Sequence, residues 1–198
     1  PAFAAATLIM YELFQIWKEH GFKTRTIPFE SIYNLVQRLG LKDAAPNYER
    51  VRRDINALVG ILIEAKNAFW DNEKKAYVDK TFHLFDSLTS YHEGPEGQRP
   101  LPIASLKASE ELWGSIQANA LITAGFSREW FHSLSPTEQR LSLYLTKMLH
   151  SQPVHKREVT KLGAQLPLLA QSYKKVKQQL TLCAQGLLDK GYPPLASF

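Results

Sequence analysis

The stretch "NYERVRRDINAL" at residues 47–58 returns in loose form as "SYKKVKQQLTLC" at residues 172–183, 125 positions later. Each copy runs Tyr, two polar residues, Val, a basic residue, two polar residues, an aliphatic, two more, then Leu or Cys. One helical pattern used twice constrains the fold strongly, because each copy needs its own apolar partner surface. The 198 residues are enough for two small domains.

The segments around each copy follow one order. Leu8, Tyr11, Leu13, Phe14 and Trp17 form a helical stripe that Gly21 ends. An extended piece at "TRTIPF" follows, then a helix at "ESIYNLVQRLG" stopped by Gly40, then the loop "KDAAPN". Asn47 is placed to cap a third helix over 48–59. After Gly60, "ILIEAKNAFW" and "KAYVDKTFHLF" are β-rich runs flanking the turn signal "DNEK", which predicts a hairpin. Helix, strand, helix, helix, hairpin is the winged-helix plan, a helix-turn-helix with a β wing.

The second copy starts at "SPTEQRLSLYLTKML". Ser135, Pro136 and Glu138 give a capping-box start, and Leu141, Tyr144, Leu145 and Met148 the buried stripe. "QPVHK" is the extended piece, "REVTKLGAQL" the second helix and "QSYKKVKQQLTLCAQGLLDKG" the third. The sequence stops at Phe198, where a second wing is due, and it opens at Pro1 rather than a methionine, as a piece of a longer chain would. The Gly/Pro-rich "YHEGPEGQRP" connects the copies, and "IASLKA" offers a strand to the first. The expected fold class is α+β, mostly helical, with two winged-helix domains in tandem and the second wing missing or rudimentary. The first domain covers 1–108 with its wing at about 61–86, and the second covers 109–198 with its bridge.

Charge is concentrated. Residues 1–99 hold 13 basic and 13 acidic side chains, whereas 100–198 hold 11 and 6. Lys156, Arg157, Lys161, Lys174, Lys175 and Lys177 stand against Glu158 alone in 151–180, so this segment carries the whole net charge of +5. A localised positive field points to a polyanion, nucleic acid first.

Successive residues on a helix turn by about 100°. Val176, Leu180, Cys183 and Leu187 therefore form one seam with Tyr173 beside it, and Gln171, Lys174, Gln178, Thr181 and Gln185 lie opposite, flanked by Lys175 and Lys177. In the first copy Val51, Ile55 and Leu58 form the seam with Tyr48 beside it. Glu49, Arg52, Arg53 and Asn56 face outward with Arg50 at the flank. Arg and Lys read guanine edges or grip phosphates, and Asn and Gln pair with adenine. Lys74 and Lys75 mark the expected wing tip, and Lys156 and Arg157 precede the second helix of the second copy, placed to grip the backbone. Trp17, Phe69, Trp70, Trp113 and Trp130 read as packing residues rather than base platforms.

Catalysis finds little support. The six histidines show no i,i+4 pair or metal spacing, "GLLDKGY" is no P-loop, and no G-x-S-x-G occurs. Rolling-circle nickases need a His-hydrophobe-His pair that is missing, so Tyr173 reads as packing rather than as a nucleophile. No metal, cofactor or enzymatic activity is expected, and no apolar run reaches membrane-span length. Cys183, the single cysteine, permits no intramolecular disulfide, reads as a small core residue, and fits a reducing cytoplasm.

"YERVRRDINALVGILIEAKNAFWDNEKKAYVDKTFHLF" resembles the third helix and wing of theta-type plasmid replication initiators, the Rep or RepA proteins with tandem winged helices. "LWGSIQANALITAGFSREWFHSLSPTEQRLSLYLTKML" resembles their bridge into the second winged helix. The resemblance implies binding to double-stranded DNA at directly repeated origin sequences (iterons), opening of an AT-rich region, and recruitment of host initiator and replicative helicase. It also implies a homodimer that represses and a monomer that initiates. Base reading would fall to Arg52, Arg53 and Asn56 in one helix and to Lys174, Lys175 and Gln178 in the other. Two other readings are a winged-helix transcriptional regulator, sensing a ligand in a pocket lined by Trp113 and Trp130, and a protein–protein scaffold whose basic face is incidental.

Overall fold

The computed structural model describes residues 2–71, 74–89, 104–117, 126–150, 152–166, 168 and 172–192. The connector at 91–100, Gln171 and the place of a second wing lie outside them. The chain is mixed α/β, with helices and small antiparallel sheets. It divides into two compact units, Ile9–Ala120 and Leu121–Phe198 with Pro1–Leu8.

In the first unit the elements follow the expected order: α1 (Ala2–Glu19), which enters this unit from Ile9 on, β1 (Thr26–Glu30), α2 (Ile32–Arg38), α3 (Ala45–Val59), then a hairpin of β2 (Leu62–Asp71) and β3 (Ala76–His83). Ile9, Leu13, Ile16 and Trp17 of α1 are buried. Ser31 caps α2 by accepting from the Asn34 N–H at 3.1 Å. Gly40, at φ +66°, ends it with paired bonds from its own N–H to Gln37 and from Leu41 to Val36. That left-handed turn sends the chain into α3, which packs on α2; Val51, Ile55 and Leu58 of α3 and Leu35 and Val36 of α2 are all buried.

Two sequence expectations are corrected here. Asn47 does not cap α3. The helix starts at Ala45 with Pro46 in its first turn, and the Asn47 amide instead donates to the Lys42 carbonyl at 2.8 Å. The second β run is two strands rather than one. β3 ends at His83, and Phe85 opens β4 (Phe85–Thr89) in a different sheet because its ring is buried opposite Ala108. "IASLKA" supplies β5 (Ala104–Ala108), the middle strand of the β1-β5-β4 sheet. Buried Ile27, Phe29, Leu106 and Phe85 form its core face. Arg25 clasps the sheet, bonding the Ala108 carbonyl, Asp86 at 2.5 Å and Glu110 at 2.7 Å. Glu110 begins α4 (Glu110–Gln117), whose Trp113 stacks on Trp17 at 5.8 Å, so this helix belongs to the first unit.

The second unit contains α5 (Arg128–Ser133), α6 (Pro136–Leu149), α7 (Val159–Gly163) and α8 (Tyr173–Asp189). α6 opens on the full capping box expected at Ser135 and Glu138. Its buried stripe differs from the sequence pattern: Leu141 is buried with Glu138, Gln139 and Ser142, while Tyr144, Leu145 and Met148 are half-buried. No strand forms at "QPVHK". The first unit's β1 has β5 to pair with, whereas no strand among the described residues of the second unit is available. α7 approaches α8 closely, since a Cβ on Gly163 would meet Val176 Cγ1 at 2.6 Å.

Valine is stiff at χ1, so Gly163→Ala should push α7 off α8 and destabilise the chain by about 1–3 kcal/mol in urea unfolding. Gly114 lies in α4 with nothing near its would-be Cβ, so Gly114→Ala should instead stabilise by about 0.5–1 kcal/mol. Equal effects of the two changes would contradict this packing.

Candidate nucleic-acid interface

α3 and α8 each bury one edge and expose the other. On α3, Val51, Asp54, Ile55 and Leu58 are buried, while Glu49, Arg50, Arg52, Arg53 and Asn56 are exposed. On α8, Val176, Leu180, Ala184 and Leu187 are buried, and Lys174, Lys175, Lys177, Gln178, Thr181 and Gln185 are exposed. The seam on α8 is therefore shifted from the expected one. Ala184 replaces Cys183, which is half-buried with its thiol pKa raised by burial. Tyr173 is no packing residue. Standing first in α8, it lies beyond the core and is 57% exposed.

The remaining candidates are also at the surface. Lys74 and Lys75 occupy the β2–β3 turn, with Lys75 at φ +50°. Lys156 and Arg157 are exposed in the segment leading to α7. Lys161 is partly neutralised: its ammonium lies 3.1 Å from Glu158, whose carboxyl pKa is lowered by the Thr160 hydroxyl and then by Lys161. Each unit thus carries its candidates on one helix, α3 or α8, and on one further exposed segment. Trp113 stacks on Trp17 within the first unit and Trp130 on Tyr192 within the second. Among the described residues no group of His, Cys, Asp and Glu could hold a metal, and no helix is long and apolar enough to cross a membrane.

Three features escaped sequence reading. Asp54 is buried on α3 between Arg50 and Arg53. Tyr48 donates from its hydroxyl to Asp43 at 2.6 Å, a bond that pushes its pKa up to about 12 and fixes the start of α3. Glu138 does more than cap α6. Its Oε2 also accepts from Lys190 Nζ, at the end of α8, at 2.9 Å. A Cβ on Gly186 would lie 2.1 Å from the other oxygen, so a larger residue there would displace this carboxylate.

No known protein family matches the chain, and no curated relative does. Among solved structures the fold falls with that of a two-domain fragment. The crystal structure of selenomethionine-substituted domains 2 and 3 of RctB aligns over 94% of this chain and 69% of its own, at 14% identity and a TM-score of 0.60. A second structure of RctB domains 2 and 3 aligns over 93% and 68%, at 14% identity and a TM-score of 0.56. The likeness covers both units and is one of fold.

Burial acts to raise the Glu138 pKa, but Lys190 and the Ser135 N–H outweigh it and hold the carboxyl below its ordinary value. A carboxyl depressed in the folded state stabilises above the unfolded value of about 4.3 and loses that contribution as pH falls through the folded one. Glu138→Gln should therefore lower stability at neutral pH and flatten its decline in acid, followed by urea midpoints from about pH 7 to about pH 3. An unchanged acid limb would contradict the ion pair.

Proposed function

We propose that this chain is a non-enzymatic, sequence-specific double-stranded DNA-binding protein of the replication-initiator type. It consists of two winged-helix units whose α3 and α8 enter major grooves, with the β2–β3 hairpin as the first wing. The observation that carries the reading is the matched pair of helices, each with an apolar edge buried and an edge of Arg, Lys, Asn and Gln exposed. The likeness to RctB domains 2 and 3 supports a replication-initiator-like fold, and the resemblance to plasmid Rep proteins points the same way. Arg50, Arg52, Arg53 and Asn56 would meet one half-site, Lys174, Lys175 and Gln178 the other, with Lys74, Lys75, Lys156 and Arg157 on phosphates.

Two recognition helices on one chain suit directly repeated half-sites about one helical turn, ~34–36 Å, apart. Iteron binding in the cytoplasm, recruitment of a host initiator and replicative helicase, and a repressing homodimer complete the proposal.

The test is selection from random duplex DNA, then titration of the enriched site at two salt concentrations. With about 6–10 phosphate contacts, affinity should fall about 10³–10⁵-fold between about 50 and about 200 mM salt. Arg53→Ala and Lys174→Ala should each cost about 1–3 kcal/mol on the enriched site and less on random DNA. Equal losses on every sequence would contradict base reading.

A further inference from the structure

Asp54 is expensive where it stands, on three counts. Aspartate is a poor helix-interior residue. It lies inside α3 (Ala45–Val59), away from the N-terminal turn where the helix dipole favours an anion. Its side chain is only 5% exposed, and its buried Oδ2 has no hydrogen-bond donor among the described residues. A residue that breaks several local rules without a structural return marks a functional position.

What surrounds the carboxylate suggests its use. Arg50 Nε lies 3.9 Å from Oδ2, and Arg53 Nε lies 3.6 Å from Oδ1. Both distances are too long for a hydrogen bond, so these are ionic contacts rather than latches. Arg preceding Asp by four positions is also the weaker order for helix support. Helix stability therefore gains little from the contacts, but the arginines gain orientation. In each, Nε is the nitrogen drawn toward the buried anion. The Nη1/Nη2 edge is left without a protein partner among the described residues, on side chains 51% and 75% exposed. That edge is the one that donates two parallel bonds to guanine O6 and N7.

We propose that Asp54 is a positioning residue that turns Arg50 and Arg53 into readers of guanine rather than free phosphate grips. The role rests on α3 being a DNA-reading helix. Substituting Asp54 should then separate specificity from affinity, which a merely structural role would not do.

Three proteins make the test: the wild-type chain, Asp54→Asn, and the double variant Arg50→Lys with Arg53→Lys, which keeps the charge and loses the fork. Each is put through selection from random duplex DNA, then titrated with the wild-type site, its single-base-pair variants and a random duplex. Asp54→Asn should bind the random duplex as well as wild type or better, since an anion has gone. Its discrimination against guanine replacements under α3 should fall about tenfold, within what one bidentate contact supplies. The double lysine variant should lose discrimination at the same base pairs. Unchanged discrimination in Asp54→Asn, or an equal loss on every duplex, would overturn the role. Should Asp54→Asn not fold, unchanged discrimination in the lysine variant would do so. A wild type that enriches no site removes the DNA-reading assignment itself, and the Asp54 role with it.

Discussion

Each unit buries a glutamate on its first long helix and anchors it to a cation at the end of a later helix. Glu12 of α1 has no exposed side-chain surface and meets Arg38, in the last turn of α2, at 3.2 Å. Glu138 of α6 meets Lys190, the C-cap of α8, at 2.9 Å. A carboxylate removed from water is costly unless paired and hydrogen-bonded, so the cation cannot drift without exposing that cost. The outcome is positional: where α2 ends relative to α1, and α8 relative to α6, is set by an ion pair as well as by apolar packing. Arg38 is held further by Glu19 at 2.5 Å, which raises its pKa and keeps it charged. Gly186, which leaves room for Glu138, belongs to the same arrangement in the second unit.

On that frame α3 and α8 carry different electrostatics. α3 mixes Arg50, Arg52 and Arg53 with Glu49 and the buried Asp54, so its cations are partly compensated and two of them are held close to an anion. α8 and the segment before α7 set Lys156, Arg157, Lys174, Lys175 and Lys177 at the surface, and Glu158, next to Arg157 in sequence, is paired with Lys161. A lysine ammonium on a flexible stem acts as a point charge, whereas the planar arginine fork bonds directionally. On the proposed DNA-binding reading, α3 would be weighted toward discrimination and α8 toward affinity.

Much of this frame was legible from patterns. The internal repeat marked α3 and α8, Ser135 and Glu138 spelled out a capping box, and Gly21, Gly40 and Gly191 all fall at helix ends with positive φ. These are local signals, decided within a few residues. What stayed hidden depends on residues distant in sequence. "IASLKA" could be read as a strand, but not as the middle one between β1 and β4. Phe85 looked like the end of the hairpin because its burial opposite Ala108 is a tertiary fact. Tyr173 matches the repeat and lies on the buried arc of the helix, yet the core does not reach as far as the first residue of α8. In the repeat Asp54 is simply one of two polar positions, since nothing in periodicity distinguishes a solvated carboxylate from a buried one.

The central claim is that both helices meet one duplex. It is tested most directly by following backbone amide resonances of the whole chain as a selected duplex is added. The account predicts that Arg52, Arg53 and Asn56 in α3, and Lys174, Lys175 and Gln178 in α8, shift together with one stoichiometry, while the buried edges of both helices change little. Shifts confined to one unit, or spread over faces that carry none of these residues, would contradict it.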